Sequence, residues 1–183
     1  MSRNLCLTGM MGAGKSTVAR ELGARLGRRV VDTDDELRRW TGRSIPELFA
    51  SHGEAGFREL ERQVVAEVAC LYDLVVSLGG GAVLCDDNVA ALLLTGVIVH
   101  LDAPPEVLVE RLRGEGEDRP LVAGDLEQRV TETYAARVDR YREVADLTLD
   151  ATASTVEVAD RIVAWAMEQG DVLTPSEHEQ VMP

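Results

Sequence analysis

The stretch Gly9-Met10-Met11-Gly12-Ala13-Gly14-Lys15-Ser16-Thr17 directly follows the apolar run Leu5-Cys6-Leu7 and opens an amphipathic segment. It fits the pattern G-x-x-x-x-G-K-[ST], whose glycines let the backbone curl until several N–H groups converge on an anion. The helix that begins there adds the positive end of its dipole. A polyphosphate fits such a cradle. Gly12, Ala13 and Gly14 would supply backbone amides, and Lys15 would reach the outer phosphates. The Ser16 hydroxyl would complete the coordination of a magnesium ion, with Thr17 supporting the same cluster. A glycine turn that only caps a helix has no need of Lys-Ser in this register, so the stretch reads as a nucleoside triphosphate site.

Outward from the cradle, short apolar runs alternate with longer helical patterns, the signature of an α/β chain with a parallel sheet covered by helices. Strands are expected at 4–8, 29–31, 74–78, 97–101 and 147–149. The first helix is expected from about Ser16 to Leu26, with Val18, Leu22 and Leu26 on one face and Gly27 as its stop. Further helices are expected over about 54–71, 87–94, 106–112, 126–142 and 155–167, and over 36–40 where Asp34 or Asp35 acts as a cap. Ser44-Ile45-Pro46-Glu47 and Ser154-Thr155-Val156-Glu157 are capping-box patterns that mark helix starts. Beyond Gln169 the chain turns polar and acidic, so residues 171–183 are expected to form a disordered tail after one domain over 1–170.

A chain of 183 residues with 45% hydrophobic content can bury one substantial core, and its net charge of −13 speaks against a nucleic-acid backbone as partner. It contains no uninterrupted apolar stretch long enough to cross a bilayer. A cytoplasmic monomer is the expectation. Cys6, Cys70 and Cys85 are odd in number and widely spaced, and read as reduced core residues. His52, His100 and His178 are too scattered for a metal site, and Trp40 and Trp165 read as packing residues.

A triphosphate cradle names the donor and leaves the acceptor open. Asp32-Thr33-Asp34 falls at the C-terminal end of the second strand, where ligands of open parallel sheets sit. In an extended segment both carboxylates would face the cradle: Asp32 could hold magnesium through water and Asp34 could accept a proton from a substrate hydroxyl. Asp34 or Asp35 could equally cap the helix that follows. Arg58 reads either as an anion clamp oriented by Glu61 or as a rung in an ion-pair ladder with Glu54 and Glu61. Gly79-Gly80-Gly81 closes the third strand and either presents bare amides to a ligand or forms a plain turn. The polar segment 114–121 could be a mobile lid carrying Arg119 inward or an ordinary surface loop. Arg137, four residues before Tyr141, would on its own be a solvated charge.

Together these residues resemble the shikimate kinases. Gly9–Thr17, Asp32-Thr33-Asp34, Phe57-Arg58-Glu59-Leu60-Glu61, Gly79-Gly80-Gly81, Arg119-Pro120-Leu121 and Arg137…Tyr141 occur in that family's order and approximate spacing, from about Asn4 to Met167. The resemblance implies a nucleoside-monophosphate-kinase-like fold with five parallel strands ordered 2-3-1-4-5, a substrate-binding region near 33–61 and a lid near 112–125. It implies transfer of the ATP γ-phosphoryl group to the 3-hydroxyl of shikimate, with Mg2+. Arg58 and Arg137 would hold the substrate carboxylate, Asp34 its hydroxyls, and Gly79, Gly80 and Gly81 would lie against the ring. Lys15 and Arg119 would flank the transferred phosphoryl group.

The chain also departs from the family pattern. Where the family often reads Arg-x-Pro-Leu-Tyr, this chain has Arg137-Val138-Asp139-Arg140-Tyr141, which opens a choice between Arg137 and Arg140 for the carboxylate. Glu115, Glu117 and Asp118 crowd negative charge beside Arg119. After the fifth strand, Asp150-Ala151-Thr152-Ala153-Ser154 lacks a basic residue near the expected base, and Arg111 is read as its stacking partner. A related kinase acting on gluconate or a cyclitol, or a nucleotide-binding protein without turnover, would share the cradle.

Overall fold

The central strands are apolar without alternation because each is covered on both faces, as a parallel sheet between helix layers requires. The computed structural model describes residues 2–114 and 123–181. Strands β1 (Asn4–Thr8), β2 (Arg29–Asp32), β3 (Leu74–Ser77), β4 (Gly96–Asp102) and β5 (Leu147–Asp150) pair in parallel in the order β2-β3-β1-β4-β5. Every residue of β1 and β3 is buried, whereas the edge strand β5 alternates. The expected α/β class and strand order both hold, with no strand end moved by more than one residue.

Helices α1 (Lys15–Leu26), α2 (Thr33–Thr41), α3 (Ile45–Val68), α4 (Asp86–Thr95), α5 (Pro105–Gly114), α6 (Ala123–Val144), α7 (Thr155–Glu168) and α8 (Pro175–Val181) cover the sheet. Both expected capping boxes form, at Ser44 and at Ser154. Two elements differ from expectation. α2 begins at Thr33 with Asp32 as its N-cap, accepting from the amides of Asp34 (3.0 Å) and Asp35 (3.4 Å), so neither Asp34 nor Asp35 is the cap. Asp34 therefore stands in a first helical turn and not in an extended segment. The helix opened by Ser44 continues through a kink at Gly53 (φ 66°, ψ −178°) into the segment bearing Phe57, Arg58 and Glu61.

The tail is ordered through residue 181, which corrects the expectation of disorder. Thr174-Pro175-Ser176-Glu177 is a third capping box with proline in the first turn, a signature the sequence carries as plainly as the other two. Glu177 also takes a charge-assisted hydrogen bond from Arg28 Nε (2.6 Å), and the rest of that buried guanidinium donates to Val172 O (2.5 Å), Ser2 Oγ (2.8 Å) and Arg3 O (2.8 Å). The ends of the chain are thereby clasped to the α1–β2 turn. The cysteines also differ from expectation: Cys6 is buried, its thiol pushed up to about 12 by desolvation, but Cys70 is exposed and Cys85 half-buried, since both sit at helix ends. Trp40 is likewise partly exposed.

Breaking a buried pair leaves a charge without compensation. Glu177→Ala is therefore expected to lower the unfolding free energy by about 3–5 kcal/mol, read from urea denaturation. A loss below about 1 kcal/mol, the range of an exposed pair, would contradict the clasp.

Candidate active site

β1 ends in a backbone so tightly packed that only glycine fits at position 9, where a Cβ would lie 2.5 Å from Leu101 O and φ is +140°. The chain then curls through Gly12 and Gly14, both at positive φ, into α1. No acidic side chain of α1 itself stands in its first turn, so the positive helix end is left open to an anion in the cleft. Lys15 Nζ donates to Gly9 O (2.9 Å) and Met10 O (3.0 Å). Burial pulls this ammonium down to about 8, against the countervailing carboxylates of Asp34 and Asp32.

Beside it, Ser16 Oγ donates to Asp32 Oδ2 (2.8 Å) and lies 3.2 Å from Ser77 Oγ at the end of β3. These oxygens suit a hard cation that keeps most of its waters. Asp34 points into the same cleft, and burial, then the Asp32 carboxylate, hold its carboxyl above the usual range. Gly79 makes room for it: a Cβ there would stand 2.8 Å from Asp34 Oδ1 and 3.1 Å from Glu61 Oε1.

The opposite wall carries the guanidinium groups. Arg58 Nη1 donates to the buried carboxylate of Glu61 (2.7 Å), and its guanidinium packs so closely on Gly81 that any Cβ would overlap it. Arg137 Nη1 reaches Gly80 O (3.4 Å) from α6. Arg140 turns away to Val83 O, Asp86 and Glu143, which separates the two arginines. Both Asp34 and Arg58 thus line one cleft of about 610 Å³ with Gly12, Gly14, Lys15, Ser16, Thr17, Asp32, the three glycines and Arg137.

Not every expected residue converges. Ala13 is buried beneath the cradle and does not line the cleft. Arg111 donates to Ala151 O (2.7 Å) and Gly12 O (3.4 Å), tying the cradle to the loop after β5. Arg119 and most of the expected lid lie outside the described residues. Sequence reasoning missed the apolar wall of Ile45, Phe49 and Phe57, whose stacked phenyl rings are 4.1 Å apart. It also missed Arg129 and Thr133, which share a face of α6 with Arg137 at helical spacing, the signal that could have found them.

The family model described as shikimate kinase matches residues 11–167. The chain belongs to the shikimate kinase family. A shikimate kinase of Salinibacter ruber is 43% identical over 173 residues, covering 90% of this chain and 85% of that relative. Among solved structures, shikimate kinase from Acinetobacter baumannii in complex with shikimate superposes with a TM-score of 0.85 at 34% identity, covering 93% of this chain and 96% of that one. The shikimate kinase of Bacteroides thetaiotaomicron gives 0.83 at 31% identity, covering 92% and 99%. Family membership makes the protein an ATP-dependent kinase.

The position of Lys15 has a consequence for pH. Its ammonium in the free protein is half neutral near pH 8, and bound phosphates favour the charged form. Nucleotide binding is therefore expected to take up a proton above that pH, and affinity to fall by up to about tenfold per further pH unit. Calorimetry of ATP binding in buffers of differing ionisation enthalpy checks this, and an affinity unchanged between about pH 7 and about pH 9.5 would contradict it.

Proposed function

We propose that this protein transfers the γ-phosphoryl group of ATP to the 3-hydroxyl of shikimate, giving shikimate 3-phosphate and ADP. The observation that carries the reading is the convergence of Asp34, Arg58, Arg137 and the Gly79–Gly81 turn on the cleft that also holds Lys15 and Ser16. Shikimate has one carboxylate and three hydroxyls on a small ring. Its carboxylate asks for guanidinium groups at one end of the site and its hydroxyls for an acceptor at the other. Arg58 and Arg137 meet the first need, Asp34 the second, and Phe49 and Phe57 offer an apolar wall to the ring.

Phosphoryl transfer demands little covalent help, so positioning and charge compensation carry the acceleration. Asp34 accepts the proton of the attacking hydroxyl, and its raised pKa brings it closer to that task than an exposed aspartate. Lys15 balances negative charge that moves toward the leaving phosphate. Mg2+, held through Ser16 and, by way of water, Asp32, would neutralise the phosphate oxygens when bound. Arg119, from the lid proposed near 112–125, would close over the phosphates, and residues 33–61 form the substrate-binding region.

A coupled assay offering Mg-ATP with shikimate, gluconate or nucleoside monophosphates tests the acceptor, and turnover with shikimate alone is expected. Lys15→Ala and Asp34→Ala should each slow it by on the order of 10³-fold. Arg137→Ala should raise the shikimate KM by about tenfold or more, while Arg140→Ala leaves it within about twofold. The reverse order of these two arginines would reassign the carboxylate site.

A further inference from the structure

The Gly80–Gly81 peptide is wedged between the guanidinium groups of Arg58 and Arg137. On one side the Arg58 guanidinium lies flush against the α-carbon of Gly81. On the other, the Gly80 carbonyl accepts from Arg137 Nη1 at 3.4 Å and from the Tyr141 hydroxyl at 2.5 Å. The shorter bond holds the peptide, because a hydrogen bond near 3.5 Å is weak. No peptide bond is cis among the described residues, so the Gly81 N–H points opposite to the Gly80 carbonyl within one rigid plane. The amides of Gly80 and Gly81 find no acceptor among the described residues, although both glycines line the cleft.

We propose that Tyr141 is a positioning residue for the acceptor site: by fixing the Gly80 carbonyl it aims the Gly81 amide at the substrate and sets the spacing between Arg58 and Arg137. The inference rests on the proposed reaction and adds a residue that does not itself line the cleft. Tyr141 is fully buried, and its ring packs against His100 with centroids 5.2 Å apart. Burial pushes the phenol up, so it remains a proton donor across the working range, and burial pushes His100 down to about 4, so its neighbour is neutral. Its further contacts are with the Arg137 guanidinium and, at 3.8 Å, with Met10 Sδ.

Tyr141→Phe keeps the ring and its packing and removes the bond to Gly80 together with the hydroxyl's contacts to Arg137 and Met10. The variant is expected to raise the shikimate KM about tenfold, with the ATP KM within about twofold and the melting temperature within about 4 °C of wild type. Val138→Ala, which loosens the same helix from a buried position outside the cleft, is expected to lower the melting temperature without that selective rise. An unchanged shikimate KM in Tyr141→Phe would overturn the inference. So would parallel rises in both KM values with a large loss of stability, or the same selective rise in Val138→Ala. Wild-type inactivity toward shikimate would instead sink the proposed reaction, so the two failures are told apart.

Discussion

A half-buried cation in the floor of the cleft, Lys15, is the constraint around which the other groups are arranged. An ammonium taken out of water is costly unless it is hydrogen-bonded and faced by opposite charge. Here the carbonyls of Gly9 and Met10 receive its protons, and the carboxylates of Asp32 and Asp34 supply the charge. The arrangement is incomplete without an anion, since burial still pulls the lysine down to about 8. A triphosphate completes it, and the same charge then serves the transfer step.

The carboxylates are placed by the sheet. Parallel strands bring the ends of β1, β2 and β3 side by side, with Asp32 in register with Ser77, and the chain leaves each end on the same side of the sheet. The cradle, the acid pair and the triple glycine become neighbours although they are separated by long helices in sequence. The kinked helix α3 then brings Arg58 to the far wall, and the long helix α6 brings Arg137 and Arg129. Arg58 is held by Glu61, three residues on along its own helix, and Arg137 reaches the Gly80 carbonyl across the cleft. In a chain with a net charge of −13, the cleft gathers Lys15, Arg20, Arg58, Arg129 and Arg137 against Asp32, Asp34 and Glu61, a balance that favours anionic ligands.

Much of this was legible along the chain. The cradle, the strand order through family resemblance, and the acids and arginines of the cleft could all be named from residues and spacing. The capping boxes at Ser44 and Ser154 could be named too, because a cap is made by residues three apart. The same signature at Thr174 was equally local, and it was overridden by the acidic composition of the tail. Composition argues for disorder only when no partner is available, and the partner here is Arg28, about 150 residues away.

What the amino-acid order determined by itself is the chemistry of contiguous pieces: a phosphate cradle, helix starts and stops, and strands buried on both faces. Only the tertiary structure decided which like residues take part. Arg137 enters the cleft and Arg140 leaves it, Asp32 caps α2 while Asp34 faces the ligand space, and Tyr141 grips Gly80 from a helix 61 residues further on. The physical reason is range. Backbone hydrogen bonds and caps close within one turn and leave their mark in neighbouring residues. The direction of a long side chain is chosen by partners on other elements, and those become neighbours only when the sheet has formed.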